Sequence, residues 1–311
     1  MTDIALALGG GGIKGIAHIG VIRVLEEAGF SIKAVAGTSA GGLVGSIYAF
    51  GKTADEIEDI VLNLDQSKLF FRGRDDGPSI MGLGGIVQAL SDHLGDATFA
   101  DLRIPFACTA VDTITMQEFI LDHGRVSDAV LATIAVPGVF SPREINGTVL
   151  VDGGILDPVP VALARWLAPT LPVVAVCLSP SPEGWNHLPD ITVPVTNPLA
   201  QPIFNQITKT RVARAFQTYI RSMDITAHML AELRLQVDHP EVIIRPDVVR
   251  FGILDNVNPK ILIGEGEIAA TNALAEIQKS LGWTNKLSRR FRKVEQPGKK
   301  INEFDEFTDD E

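Results

Sequence analysis

The stretch Ala34-Val35-Ala36-Gly37-Thr38-Ser39-Ala40-Gly41-Gly42 decides how the rest of this 311-residue chain is read. An apolar run ends in a serine between small residues, and the G-x-S-x-G spacing is that of a strand turning sharply into a helix, with the hydroxyl pushed out of the backbone. Gly37 and Gly41 leave room where a side chain would meet the neighbouring strand or helix, and Gly42 adds more. Taken alone, five such residues also describe an ordinary Gly/Ser turn. The choice depends on whether the chain supplies what a serine nucleophile needs.

Outward from this point the pattern is that of a parallel α/β fold. Residues 4–8 form a short apolar run that stops at four glycines, and a helix-compatible segment follows over 14–28, with Ile16, Ile19, Val21, Ile22, Val24 and Leu25 on its apolar positions and Gly29 as C-cap. The run 32–36 then leads into the turn, and 40–50 reads as the helix behind it. Strand, Gly-rich turn, helix, strand, turn, helix predicts parallel strands with right-handed crossovers. Further on, Thr53 and Glu56 make a capping box for a helix over 53–64. Helices are expected over 86–94, 126–135, from Pro160 to about 167, over 203–237 with a break or bend, and over 259–281. Strands are expected at 104–111 and 118–121 as a hairpin around Asp112-Thr113, and at 149–151, 173–178 and 242–245. Residues 65–85 carry Phe70 and Phe71 among glycines. They read as a lid or lipid-contact segment, or more plainly as a surface connection whose aromatics fold back. Residues 179–202 read as a long loop.

Composition sets limits on function. With 46% apolar residues the chain can bury a large core, and no run reaches the roughly 18 apolar residues of a spanning helix. The N-terminus lacks the basic region and long apolar run of a signal peptide. Cys108 and Cys177 lie in strand-like runs without a Cys/His cluster, which predicts buried free thiols in a reducing cytoplasm and no zinc. A net charge of −11 argues against nucleic acid as a partner and against adsorption to anionic membranes. Basic residues do cluster at Lys286, Arg289, Arg290, Arg292, Lys293, Lys299 and Lys300, followed by the acidic run Glu303 to Glu311. Such blocks predict a solvated, poorly ordered tail over 283–311 behind a catalytic domain of 1–282, rather than a basic membrane or partner contact.

Gly10-Gly11-Gly12-Ile13-Lys14-Gly15 matches the G-x-G-x-x-G of dinucleotide sites, between a strand and a helix. Such a site also wants an acidic residue at the tip of the second strand to hold the ribose, and here that tip is Ala36-Gly37-Thr38-Ser39. The alternative is an oxyanion hole. Both turns lie at carboxyl ends of parallel strands, so the amides of Gly10, Gly11 and Gly12 can converge beside Ser39. Lys14 reads either as a charge near that anion or as a solvated lysine at a helix start. For the general base, none of His18, His93, His123, His187, His228 and His239 follows a late strand in the loop context of a hydrolase triad. Asp152, after a short strand and before Gly153-Gly154, occupies the same kind of place as Ser39. An Asp-Gly turn is its ordinary alternative, and a carboxylate of normal pKa serves as base only if well positioned or desolvated.

Three blocks together resemble the patatin-like phospholipases: the turn at Gly10 to Gly15, the elbow at Gly37 to Gly41, and Asp152-Gly153-Gly154. The segment Ala135-Val136-Pro137-Gly138 to Pro142 is similar to the family's proline-bearing block. The resemblance implies a three-layer α/β/α sandwich with a mainly parallel central sheet and a Ser-Asp dyad, with Ser39 as nucleophile, Asp152 as base and the amides of Gly10 to Gly12 as oxyanion hole. It further implies hydrolysis of lipid acyl esters through an acyl-enzyme, without metal or cofactor. A cytoplasmic enzyme, in peripheral contact with the inner face of a membrane where its substrate requires it, fits this reading. Alternatives are an acyltransferase or thioesterase using the same serine, a weakly active binding or regulatory protein of the same fold, and a nucleotide-binding module. No functional residue is carried over beyond residue 160.

Overall fold

In the computed structural model, residues 2–72, 77, 79–182, 184 and 211–300 are described. The chain begins β1 (Thr2–Leu8), a 3-10 turn, α1 (Ala17–Glu27), β2 (Phe30–Gly37) and α2 (Ala40–Phe50). Next come α3 (Ala54–Asn63), capped by Thr53 and Glu56 as expected, and α4 (Gly84–Leu94). The middle of the chain forms β3 (Phe106–Asp112), β4 (Gln117–Leu121), α5 (Val126–Thr133), β5 (Arg143–Ile145), β6 (Thr148–Asp152), α6 (Val161–Leu167) and β7 (Val173–Val176). It closes with α7 (Arg211–Asp238), β8 (Val242–Ile244), α8 (Pro259–Ser280), α9 (Trp283–Phe291) and β9 (Lys299–Lys300). Within the expected helix over 203–237, residues 203–210 lie outside the described residues, as does His187.

The strands form one sheet in the order β5-β6-β3-β2-β1-β7-β8, with β4 on the other edge of β3 and β9 beside β4. Strands β3, β2, β1, β7 and β8 run parallel, and β6 and β4 are antiparallel to β3. Helices cover both faces, giving the expected three layers. Alternation along the central strands decides which helices lie where. Ile4, Leu6, Leu8, Ile32 and Val35 meet α1, α2 and α8 in one apolar cluster, whereas Ala5, Ala7, Ala34, Ala36 and Ala175 meet Val161, Leu163, Ala231 and Leu235 of α6 and α7 in another. Alanines on that second face let α6 and α7 approach closely.

Two expectations change. The hairpin joining β5 to β6 is not among the expected strands, although its turn carries Asn146-Gly147 with φ of 51° and 73°, the two left-handed residues a tight hairpin needs. The segment from 283 is also no free tail as far as 300: α9 packs against the body through the buried Arg289, and Lys299–Lys300 pairs in parallel with Phe119 and Ile120 of β4. Residues 301–311 lie outside the described residues. Both cysteines are buried and free.

Candidate active site

Strands β2 and β6 meet along one edge of β3. Cys108 pairs with Gly37 on one side and Leu121 on the other, and two residues later Ala110 pairs with Asp152 and Phe119. Since β4 holds the opposite edge, β2 and β6 share the same one, and they run towards each other. The chain leaves β2 into Ser39 and leaves β6 at Asp152, so both residues arrive at one junction.

Ser39 has φ 53° and ψ −123°, a conformation that a residue with a side chain rarely adopts, and it is 8% exposed. Such strain costs about 1–3 kcal/mol and persists only when neighbours overdetermine it. Here the Ser39 N–H donates to Thr133 Oγ1 at 3.0 Å, the Thr38 N–H donates to the Leu8 carbonyl at 3.0 Å, and the Thr38 hydroxyl donates to the Asp157 carbonyl at 2.8 Å. Thr109 Oγ1 lies 3.1 Å from that hydroxyl. Gly41 must be glycine because a Cβ there would stand 2.0 Å from the Leu8 carbonyl oxygen.

Asp152 is 5% exposed and opens a 3-10 turn, Gly153–Ile155, instead of a hairpin. Its N–H donates to the Ala135 carbonyl at 3.0 Å, and its Oδ1 accepts the Gly154 N–H at 2.7 Å. Burial pushes its pKa up to about 6, against the opposing pull of hydrogen bonds from the Ser39 side chain and the Gly154 amide. This is the desolvation that a carboxylate base requires.

The glycine turn lies against the serine: a Cβ on Gly10 would come within 3.2 Å of Ser39 Cβ. However, the Gly10 N–H donates to the Pro158 carbonyl at 3.0 Å, which takes it out of the expected oxyanion hole. The amides of Gly11 and Gly12 have no acceptor outside their own turn among the described residues. Ala40, which sequence reading left out, opens α2, so its N–H has no intrahelical partner. Gly15 packs on Ala40, where an added Cβ would be 2.4 Å from the alanine Cβ. Lys14 is not solvated. It is 6% exposed and faces the cavity described below, and burial lowers its pKa against the opposing charges of Asp224, Cys177 and Asp255.

Ser39, Asp152, Gly11 and Gly12 line a cavity of about 430 Å³ whose other walls are mainly aliphatic and aromatic, from Leu43 and Val44 to Leu90 and Phe140. Phe70 stacks on Phe140 with ring centroids 5.6 Å apart and faces this cavity, while Phe71 is 52% exposed; the two aromatics of the 65–85 segment thus divide between the two readings. His93 and His228 also line the cavity, and neither is hydrogen-bonded to Ser39 or Asp152. His228 Nδ1 instead lies 2.9 Å from Ser179 Oγ, with Asp224 at 3.6 Å from Nε2. His18 is fully buried, pushed down to about 4 by burial, and its Nε2 hydrogen-bonds the Gly9 carbonyl at 2.8 Å. It braces the glycine turn. Behind the elbow, buried Asp157 pairs with Arg234 at 2.9 Å, and burial still raises its pKa.

Comparison with known proteins places these features in context. The family model for patatin-like phospholipases matches residues 6–165, which includes all three motif blocks. An uncharacterized NTE family protein of Mycobacterium tuberculosis is 39% identical over 186 residues, covering 58% of this chain and 50% of that protein. Lysophospholipase NTE1 of Eremothecium gossypii is 31% identical over 178 residues, covering 51% of this chain and 11% of that protein. The chain spans about half the length of the mycobacterial relatives it matches. Among solved structures, VipD from Legionella pneumophila superposes with a TM-score of 0.51 at 15% identity, covering 89% of this chain and 67% of that chain.

Proposed function

The chain belongs to the patatin-like phospholipase family, and from that premise we propose that it is a serine acyl hydrolase acting on acyl esters of phospholipids or lysophospholipids. The observation that carries this reading is the convergence of a strained, buried serine and a desolvated aspartate at one junction, opening into a largely apolar cavity. Asp152 takes the Ser39 proton as Oγ attacks the ester carbonyl. The amides of Gly11, Gly12 and Ala40 receive the developing oxyanion. Collapse of the tetrahedral intermediate expels the alcohol, which takes the proton back from Asp152, and leaves an acyl-enzyme. Asp152 then removes a proton from water, which attacks the acyl carbon, and the fatty acid leaves as Ser39 regains its proton.

The cavity accounts for an acyl chain, whose transfer from lipid to an aliphatic pocket needs no polar partner. Exposed Phe71 supplies an apolar contact for the lipid surface from which such a substrate is drawn. The test is labelling by a fluorophosphonate probe together with turnover of p-nitrophenyl acyl esters. Ser39→Ala abolishes the label, and either Ser39→Ala or Asp152→Ala lowers kcat/KM on the order of 10⁴-fold. Ester hydrolysis that survives either substitution refutes the dyad.

A further inference from the structure

The basic cluster near residue 290 has no part in the dyad chemistry, yet it builds a second cavity. This cavity of about 390 Å³ is lined by His239, Glu241, Lys279, Ser280, Arg289 and Arg292, among others. Its floor, His239 to Glu241, immediately precedes β8, and Glu241 exchanges hydrogen bonds with Val173 at the start of β7, its N–H donating to the Val173 carbonyl at 3.0 Å and its Oε2 accepting the Val173 N–H at 2.8 Å. Since β7 and β8 run parallel to β1 and β2, the second cavity opens at the opposite end of the sheet from Ser39.

Charge is unbalanced there. Glu241 serves two guanidinium groups, Arg292 at 3.3 Å and Arg165 at 3.5 Å. Arg165 is further held by the carbonyls of Asp238 and His239, at 2.6 and 2.7 Å. Arg289 is 5% exposed, and among the described residues no carboxylate lies within 4 Å of it; its Nη1 donates only to the Ser280 carbonyl at 3.2 Å, and its Nε is buried without an acceptor. Lys279 adds a further positive charge, and Glu276 is the one other carboxylate on the cavity wall. The charge of Glu241 reaches Arg289 but is already shared by Arg292 and Arg165, so the buried guanidinium is only partly compensated, and a planar fork of donors beside a second arginine is the arrangement that a tetrahedral oxyanion satisfies.

We propose that this second cavity binds a phosphate-bearing anion, held between Arg289 and Arg292 with Lys279 at the rim and the Ser288 hydroxyl beside it. The ligand neutralises the unpaired guanidinium and fastens α9 to α8 and to the start of β8. Inorganic phosphate, a small phosphomonoester and a lipid head group share this chemistry.

Thermal unfolding of the full chain is measured against inorganic phosphate and glycerol phosphate, with chloride at matched ionic strength, and in parallel by co-sedimentation with vesicles containing phosphatidic acid. A saturable rise in Tm with the soluble anions identifies a small ligand; co-sedimentation without that rise identifies a head group. In either case Arg292→Gln, at a partly exposed position that leaves the core intact, weakens binding roughly tenfold or more, and Arg289→Gln does so if it folds. Fluorophosphonate labelling of Ser39 continues in Arg292→Gln, and in Arg289→Gln where it folds, and so reports the folded state of each. Absence of binding in both arms, or binding of equal strength in wild type and Arg292→Gln, overturns the proposal.

Discussion

Replacing Asp152 by asparagine should destroy activity and stabilise the protein at once. The folded-state pKa of Asp152 lies near 6, against an ordinary value of 3.8, because burial penalises the carboxylate. The raised pKa means that wild-type protein is favoured when this group is protonated, and that it loses the advantage as pH rises from below 4 to above 6. About two pK units correspond to on the order of 3 kcal/mol of penalty at pH 8. Asparagine removes the charge while its Oδ1 continues to accept the Gly154 N–H, which reaches the aspartate at 2.7 Å. Because each kcal/mol moves Tm by roughly 2–4 °C in a large domain, the variant should melt several degrees higher than wild type at pH 8. At pH 4 the difference should vanish. Differential scanning fluorimetry at both pH values, with ester turnover at pH 8, decides the matter. An Asp152→Asn protein that melts no higher than wild type at pH 8, or whose advantage does not shrink on acidification, refutes the claim that burial tunes this base.

The remaining predictions concern the same junction and its support. The kcat/KM of wild type for a neutral ester should fall below an apparent pKa near 6, well above that of a solvated aspartate, since the base must be ionised to act; a pH–rate profile reads it. Ser39→Gly should be more stable than Ser39→Ala by about 1 kcal/mol or more, because glycine alone is comfortable at φ 53°; urea denaturation of the two inactive variants compares them. Arg234→Ala should cost about 3–5 kcal/mol by stranding the buried Asp157 carboxylate, and Asp157→Asn in that background should recover much of the loss.

How far these features were legible depends on the range over which they act. The elbow, the glycine turn and the Thr53–Glu56 capping box are local, since each is a short spacing whose backbone geometry demands those residue types, and all stand where the sequence puts them. The β5–β6 hairpin was equally local, and Asn146-Gly147 signalled it, yet that signal lay among short, weakly apolar runs. What the sequence could not carry was anything set by strand order. Lys14 looks like a solvated helix-start lysine until α7 is laid across it, with Asp224 and His228 on the same cavity wall. Gly10 looks like an oxyanion donor until the Pro158 carbonyl, from a turn far along the chain, takes its N–H. Arg289 sits in a block of charge that resembles a solvated tail, and only its packing against Ser280 and the segment His239 to Glu241 shows it buried.

The proposed pairing of Ser39 directly with Asp152 would need no imidazole, because the sheet itself would perform two of the imidazole's tasks. Histidine ordinarily provides a pKa near neutrality and a fixed direction. In this fold the direction comes from β6, which runs antiparallel into the end of β2, so that Asp152 is fixed by ladder pairing to Ala110 and by the hydrogen bond its N–H donates to the Ala135 carbonyl. The pKa comes from burial at the same place. These two requirements cannot be met separately, because a carboxylate on a solvated loop would have the freedom to reach the serine but would keep its acidic pKa. A carboxylate at a strand end inside the sheet meets both, at the expense of stability above pH 6. The strained Ser39 backbone and the buried Asp157–Arg234 pair behind it are costs of the same kind, concentrated around the elbow.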